Sequence, residues 1–210
     1  KKYKKPIIAV CGDKDKNASD YMKNPNLLAI SEDSSGNRYL LRSIDSEIGP
    51  MIFRTNIDST NGTINTNWDL VFSLAEDAII RGDADKDPRV PDDHSSELGY
   101  KVSEYFRMLR EKRISSIEVH PKQPEYVMIG ITASPFFETY QNKHIFLSNN
   151  GGEFFGINSV FESGLPSKNI SAIDIDGDRD RIYISTTGAS TFYFKDTITP
   201  FKNVETINDD

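Results

Sequence analysis

Fifty-six residues separate two copies of one short pattern, Ile114-Ser-Ser-Ile117 and Ile170-Ser-Ala-Ile173. That repeat constrains the fold more than any other feature of the chain. Each copy is followed by a polar turn, His120-Pro-Lys-Gln-Pro-Glu125 in the first and Asp176-Gly-Asp-Arg-Asp180 in the second. Each turn leads to a second apolar segment, Tyr126-Val-Met-Ile-Gly-Ile-Thr132 or Arg181-Ile-Tyr-Ile-Ser-Thr-Thr187. A third follows, Ile145-Phe-Leu-Ser148 or Phe192-Tyr-Phe-Lys195, and both units then reach an aromatic, Phe155 and Phe201.

The same grammar runs through the whole chain. Short segments rich in Ile, Val, Leu, Phe and Tyr, bounded by Gly, Pro, Asn, Asp or Ser, predict strands at 6–11, 27–31, 39–43, 51–55, 68–74, 114–119, 126–131, 144–148, 170–175, 181–186 and 191–195. Residues 32–37 read as a hairpin loop, and Asp176-Gly177 is a strong turn former because both residue types tolerate positive φ. One stretch breaks the pattern. Leu98, Val102, Tyr105, Phe106 and Leu109 fall at helical spacing, with Ser95 or Ser96 as cap and Arg107, Arg110, Lys112 and Arg113 at the C-terminal end. This predicts a helical insertion near 95–112, preceded by a polar loop over 81–93. Three or four strands in roughly 45–55 residues is the period of a propeller blade. The expected organisation is therefore degenerate blades over 1–80, a loop and helical insertion over 81–113, and two blades over 114–210.

Composition removes several function classes. The chain of 210 residues carries 25 basic and 32 acidic side chains, a net charge of −7, which disfavours nucleic-acid binding because counterion release needs a basic face. The 12 Phe, 9 Tyr and 1 Trp argue against disorder. Cys11 is the only cysteine, which excludes an intrachain disulfide framework, and it reads as a buried thiol at the end of a strand. No apolar run approaches membrane-spanning length, and the five apolar residues after the lysines at 1–5 read as a strand rather than a signal peptide. The chain begins without Met, so the expectation is a piece of something longer.

Ser148-Asn-Asn150-Gly-Gly152-Glu-Phe-Phe155 fits the pattern Ser-x-Asp/Asn-x-Gly-x-x-aromatic. Its physics is local: the Ser hydroxyl and the Asx side chain bond backbone groups across a tight turn, Gly supplies positive φ, and the aromatic packs beneath. The pattern resembles the Asp-box, or BNR repeat, and the stretch 114–204 is similar to the two-repeat grammar of that propeller superfamily. Gly164-Leu-Pro-Ser167, leading into the second Ile-Ser-x-Ile, is part of the likeness. Sialidase-like proteins, sortilin-type receptors, photosystem assembly factors and xyloglucanase-type glycosidases share this grammar. There are departures: Asn150 stands where Asp is commoner, Phe194-Lys-Asp196-Thr lacks the glycine, and Ser31 to Tyr39 holds one residue too many. The resemblance implies an all-β propeller with three to four blades visible, completed by further sequence of the parent chain or by another subunit. It also implies that Ser148, Asn150, Gly152 and Phe155 are structural, on a hairpin away from the central funnel.

Candidate chemistry is sparse. Asp174, Asp176, Asp178 and Asp180 alternate around Gly177, a pattern that can converge oxygens on Ca²⁺ and that also suits a solvated hairpin turn. The clusters Asp83, Asp85, Asp87 and Asp13, Asp15, Asn17 resemble it more weakly. A glycosidase needs two facing carboxylates, and no spacing singles out a pair. Arg54, in Ile52-Phe-Arg-Thr-Asn56, resembles part of a sialidase substrate-binding element that continues Ile-Pro, which is absent here. His94, His120 and His144 lack metal-ligand spacing, and His120, placed before Pro121 in a turn, is expected to be exposed. Asn17, Asn61 and Asn169 head N-glycosylation sequons. No phosphate loop, nucleophile elbow or Cys-x-x-Cys pair occurs. The reading is a non-catalytic propeller module that recognises a protein or glycan outside the cytoplasm, with no nucleic acid and no membrane span. The alternative is a glycoside hydrolase of xyloglucanase or sialidase type.

Overall fold

The computed structural model describes residues 27–46, 49–74, 112–133, 144–158, 161, 165, 167, 169–188, 190–202 and 204. They are mostly β-structure, in three small antiparallel sheets with one short helix, and no closed barrel or propeller is formed among them. No helix among the described residues is long and apolar enough to cross a membrane.

The first sheet is a meander of β1 (Leu28–Glu32), β2 (Arg38–Ser46), β3 (Gly49–Ile57) and β4 (Asp69–Ser73). The second contains β5 (Lys112–Val119), β6 (Val127–Ala133) and β7 (Ile145–Ser148). The third contains β8 (Ile170–Asp176), β9 (Arg181–Thr186) and β10 (Thr191–Lys195), and is followed by α1 (Thr199–Lys202). Ten of the eleven expected strand segments coincide with these strands; segment 6–11 lies outside the described residues. The expected helix lies outside them too, except at its end. Lys112 and Arg113 are strand, not helix, because they pair with Ala133 and Thr132 and extend the β5–β6 ladder backwards.

The repeated Ile-Ser-x-Ile has a structural meaning. In both copies the ladder slips by one residue, between Ile114 and Ser116 in β5 and between Ile170 and Ala172 in β8. Such a bulge sharpens the local twist and re-aims the following side chains. Ile117 then faces Ile129, and Ile173 faces Ile184, in matching register.

Period two along the middle sheet divides its side chains between two cores. Ile114, Ile117, Val127, Ile129, Ile131 and Phe146 pack with Leu41, Ile52, Phe72 and Leu74 of the first sheet. Met128, Ile145 and Leu147, on the opposite face, pack with Ile170, Ile173, Ile175, Ile182 and Ile184 of the third. Gly130 permits close approach there, since a Cβ at this position would sit 2.6 Å from Ile170 Cγ2. The Ser116 hydroxyl straps the two sheets, accepting from Ile173 N at 3.2 Å and reaching Ile173 O at 3.4 Å.

Candidate functional site

Several turns meet at one end of the stacked sheets, and part of the polar chemistry singled out in the sequence lies there, namely Ser148, Asn150, His120, Asp176, Asp178 and Asp180. The loop after β7 is built by short-range bonds. Ser148 Oγ donates to Asn150 Oδ1 at 2.7 Å and accepts from Gly152 N at 3.0 Å, while Asn150 Oδ1 also accepts from Phe154 N at 3.2 Å. Gly151 and Gly152 take φ of 68° and 80°, the left-handed region that suits glycine. Leu147 and Gly156 then exchange backbone bonds at 2.8 Å, and the buried Phe155 ring meets Phe72 edge-on at 5.9 Å.

This loop is wedged against the first sheet. A Cβ on Gly152 would lie 2.8 Å from Leu41 Cδ2, and one on Gly151 would lie 3.0 Å from the Glu32 carbonyl. Ser31 Oγ donates to Gly151 O at 2.7 Å, and Gly151 N donates to Glu125 O at 2.9 Å. Arg54 braces the junction. Its guanidinium lies 4.1 Å from the centre of the Tyr39 ring and reaches Asn150 O at 3.5 Å and Glu153 at 3.9 Å. Asp33 closes the β1–β2 turn by accepting from Ser35 N, Asn37 N, Asn37 Nδ2 and Tyr39 Oη, each at 2.9 Å. Those donors, the Asn37 side chain foremost, hold its carboxyl at about 2.

The four aspartates of the 174–180 segment go separate ways. Asp174 lies exposed on β8 opposite Tyr183. Asp176 Oδ1 accepts from Asp178 N and Arg179 N at 3.1 and 3.0 Å, and these bonds lower its pKa. Asp178 pairs with Lys122 at 2.7 Å. Asp180, at φ 53°, turns its Oδ1 to Thr197 N and Thr197 Oγ1 at 2.7 and 2.9 Å. Among the described residues no group of three or more His, Cys, Asp or Glu is placed to hold a metal ion.

His120 corrects an expectation. It is only 2% exposed, because both ring nitrogens are engaged and the 176–180 turn packs on it, with Gly177 so near that a Cβ there would sit 3.3 Å from His120 Cε1. Asn169 is also buried, at 5% exposure, whereas Asn61 stands in the open β3–β4 loop. His144 is buried. Cys11, Asp13, Asp15, Asn17, Asp83, Asp85, Asp87 and His94 lie outside the described residues. Sequence reasoning missed Thr197 and underrated Asp196, whose Oδ1 accepts from Ile198 N and Thr199 N at 3.0 and 2.9 Å and caps α1. An Asp four residues ahead of Pro200 was the available signal.

Among the described residues two carboxyls have raised pKa values. Asp45 is raised by burial, and Glu118 on β5 by burial and then by Asp174 on β8. Every other described aspartate with a shifted pKa is lowered by backbone or side-chain donors. Comparisons with known proteins give no match, whether to a family model, a curated protein or a solved structure.

Proposed function

We propose that the three sheets are successive blades of an Asp-box propeller, and that the protein is a non-catalytic module that binds a protein or glycan partner outside the cytoplasm. Three regularities support the blade reading. The second and third sheets share one bulged meander. Phe155 packs into the core with the sheet before it, and Phe201 does the same one sheet later. Neighbouring turns also touch in sequence, Glu32 N to Pro124 O and then Lys122 Nζ to Gly177 O. A closed ring needs further blades, from the parent chain or another subunit.

One observation carries the non-catalytic part. At the end where the turns meet, Asp33, Asp176, Asp180, Asp196, Ser148 and Asn150 spend their oxygens on backbone N–H groups, so the motif chemistry holds shape. Calcium is not required by this reading, because Oδ1 of both Asp176 and Asp180 already accepts from backbone N–H groups. Incubation with chromogenic glycosides and polysaccharides is expected to release no sugar above a protein-free blank. A glycan array and candidate protein ligands are expected to give saturable binding, with Trp68 fluorescence as readout. Turnover would overturn the proposal.

A second reading, a glycoside hydrolase, is favoured by one pair: Glu118, its pKa raised, beside the exposed Asp174. Such a carboxyl can serve as general acid when its partner stays ionised. That reading requires turnover that Glu118→Gln abolishes and that Asp45→Asn leaves in place.

A further inference from the structure

The joint between the second and third sheets is organised around one imidazole. His120 Nδ1 accepts from Lys122 N and Gln123 N, both at 3.1 Å. A nitrogen that receives two N–H groups carries no proton of its own. The other ring nitrogen therefore holds it, and Nε2–H donates to Thr197 Oγ1 at 3.0 Å. The Thr197 hydroxyl in turn donates a hydrogen bond to Asp180 Oδ1 at 2.9 Å. The chain thus ties the β5–β6 turn to the β8–β9 turn and to the segment after β10, with the neutral Nε2–H tautomer built into the geometry.

We propose that His120 is a proton-operated latch: protonation at Nδ1 opens the joint between the 120–126 turn and the 176–180 and 196–199 segments while the first sheet stays closed. A proton on Nδ1 would point at two backbone donors already aimed at that atom, in a site sealed from water. The ring can hold both protons only if the turn unwinds or the imidazole leaves. The surrounding charges do not rescue it. Lys122 and Glu125 sit on its own turn, Asp178 and Asp180 on the turn packed against it, and Asp196 and Lys202 on the segment that carries Thr197. Tyr126 presents its ring edge-on at 6.2 Å. Burial pushes the imidazole down and Lys122 adds to this, outweighing the opposite pull of Glu125 and Asp180.

The direction of the effect follows from linkage. A histidine whose folded value lies below its ordinary 6.5 binds more protons when released, so the joint is firm above that pH and weakens as pH falls below it. Hydrogen exchange of the full chain tests this, once corrected for the intrinsic pH dependence of exchange. Protection of amides in 120–126 and 196–199 is expected to fall as pH drops below 6.5, by up to about tenfold per pH unit until the lowered folded value is reached, while amides of β2 and β3 hold. In His120→Asn, whose side-chain oxygen can still accept the two turn N–H groups, the step should vanish. Nitrogen NMR of the unmutated imidazole gives a second measurement that needs no variant. It should report Nε2–H at neutral pH and protonation in step with the loss of protection. The proposal fails if both segments stay protected down to about pH 5, or if all three sheets loosen together. It fails equally if the step survives in His120→Asn, or if the neutral ring carries its proton on Nδ1.

Discussion

Met128, Gly130, Ile145 and Leu147 of the second sheet have register counterparts in the third: Tyr183, Ser185, Thr191 and Tyr193. The first set is buried against a neighbouring sheet. In the second set Tyr193 is 54% exposed, Ser185 and Thr191 share a hydroxyl bond at 2.8 Å, and Arg181 lies 5.0 Å from the Tyr193 ring centre. One strand plan therefore serves two environments, and the side chains on a single face record whether another sheet covers it. The loops after the third strands differ in the same economical way. Ser148 becomes Phe194, which packs edge-on against Phe161 at 4.9 Å, and the glycine is lost. The Asx position survives as Asn150 and Asp196, each still accepting from backbone N–H groups two to four residues on.

The strongest challenge to this equivalence is to delete the closing aromatics. Phe155→Ala and Phe201→Ala should each cost about 3–5 kcal/mol in urea unfolding, since each ring fills the core shared with the preceding sheet. A cost under about 1 kcal/mol at either position would mean that the two units are not alike. Next come two glycines with nearly the same φ. Gly152→Ala meets buried Leu41 and left-handed strain together, and should cost about 2–4 kcal/mol. Gly188→Ala, with open space around it, should show strain alone, about 1 kcal/mol. Counterparts on the divergent face give a smaller contrast. Gly130→Val should cost about 1–3 kcal/mol through Ile170, and Ser185→Val within about 0.5 kcal/mol, because no sheet among the described residues packs on that face.

The smallest effect concerns acid. Asp196 has a pKa below its ordinary 3.8, through bonds from the Thr199 side chain and from the Thr199 and Ile198 amides. Its stabilisation is complete above 3.8 and fades as pH falls through its lower folded value. Asn150 does not titrate, so the loop after β7 lacks this dependence. Asn150→Asp should import it, seen as accelerated exchange of amides 152–156 below about pH 4 with little change at neutral pH.

What the sequence made legible was whatever depends on near neighbours. Strand positions followed from alternation and turn residues, and the 148–155 loop could be anticipated because the bonds made by its Ser148 and Asn150 side chains span four residues or fewer. What it concealed depends on distant ones. His120 reads as an exposed turn residue until Thr197, 77 positions away, and the 176–180 turn close over it. Lys112 reads as the end of a helix until the β6 edge recruits it. The aspartates of 174–180 looked the same whether meant for a cation or for backbone amides, since both demand carboxylate oxygens in a turn.

Phe155 and Phe201 each reach back towards chain that precedes their own unit. During synthesis, every stopper therefore emerges from the ribosome after the socket it fills has already been made. Every described residue of the first core precedes position 158, so its full set of partners exists before the third sheet is made.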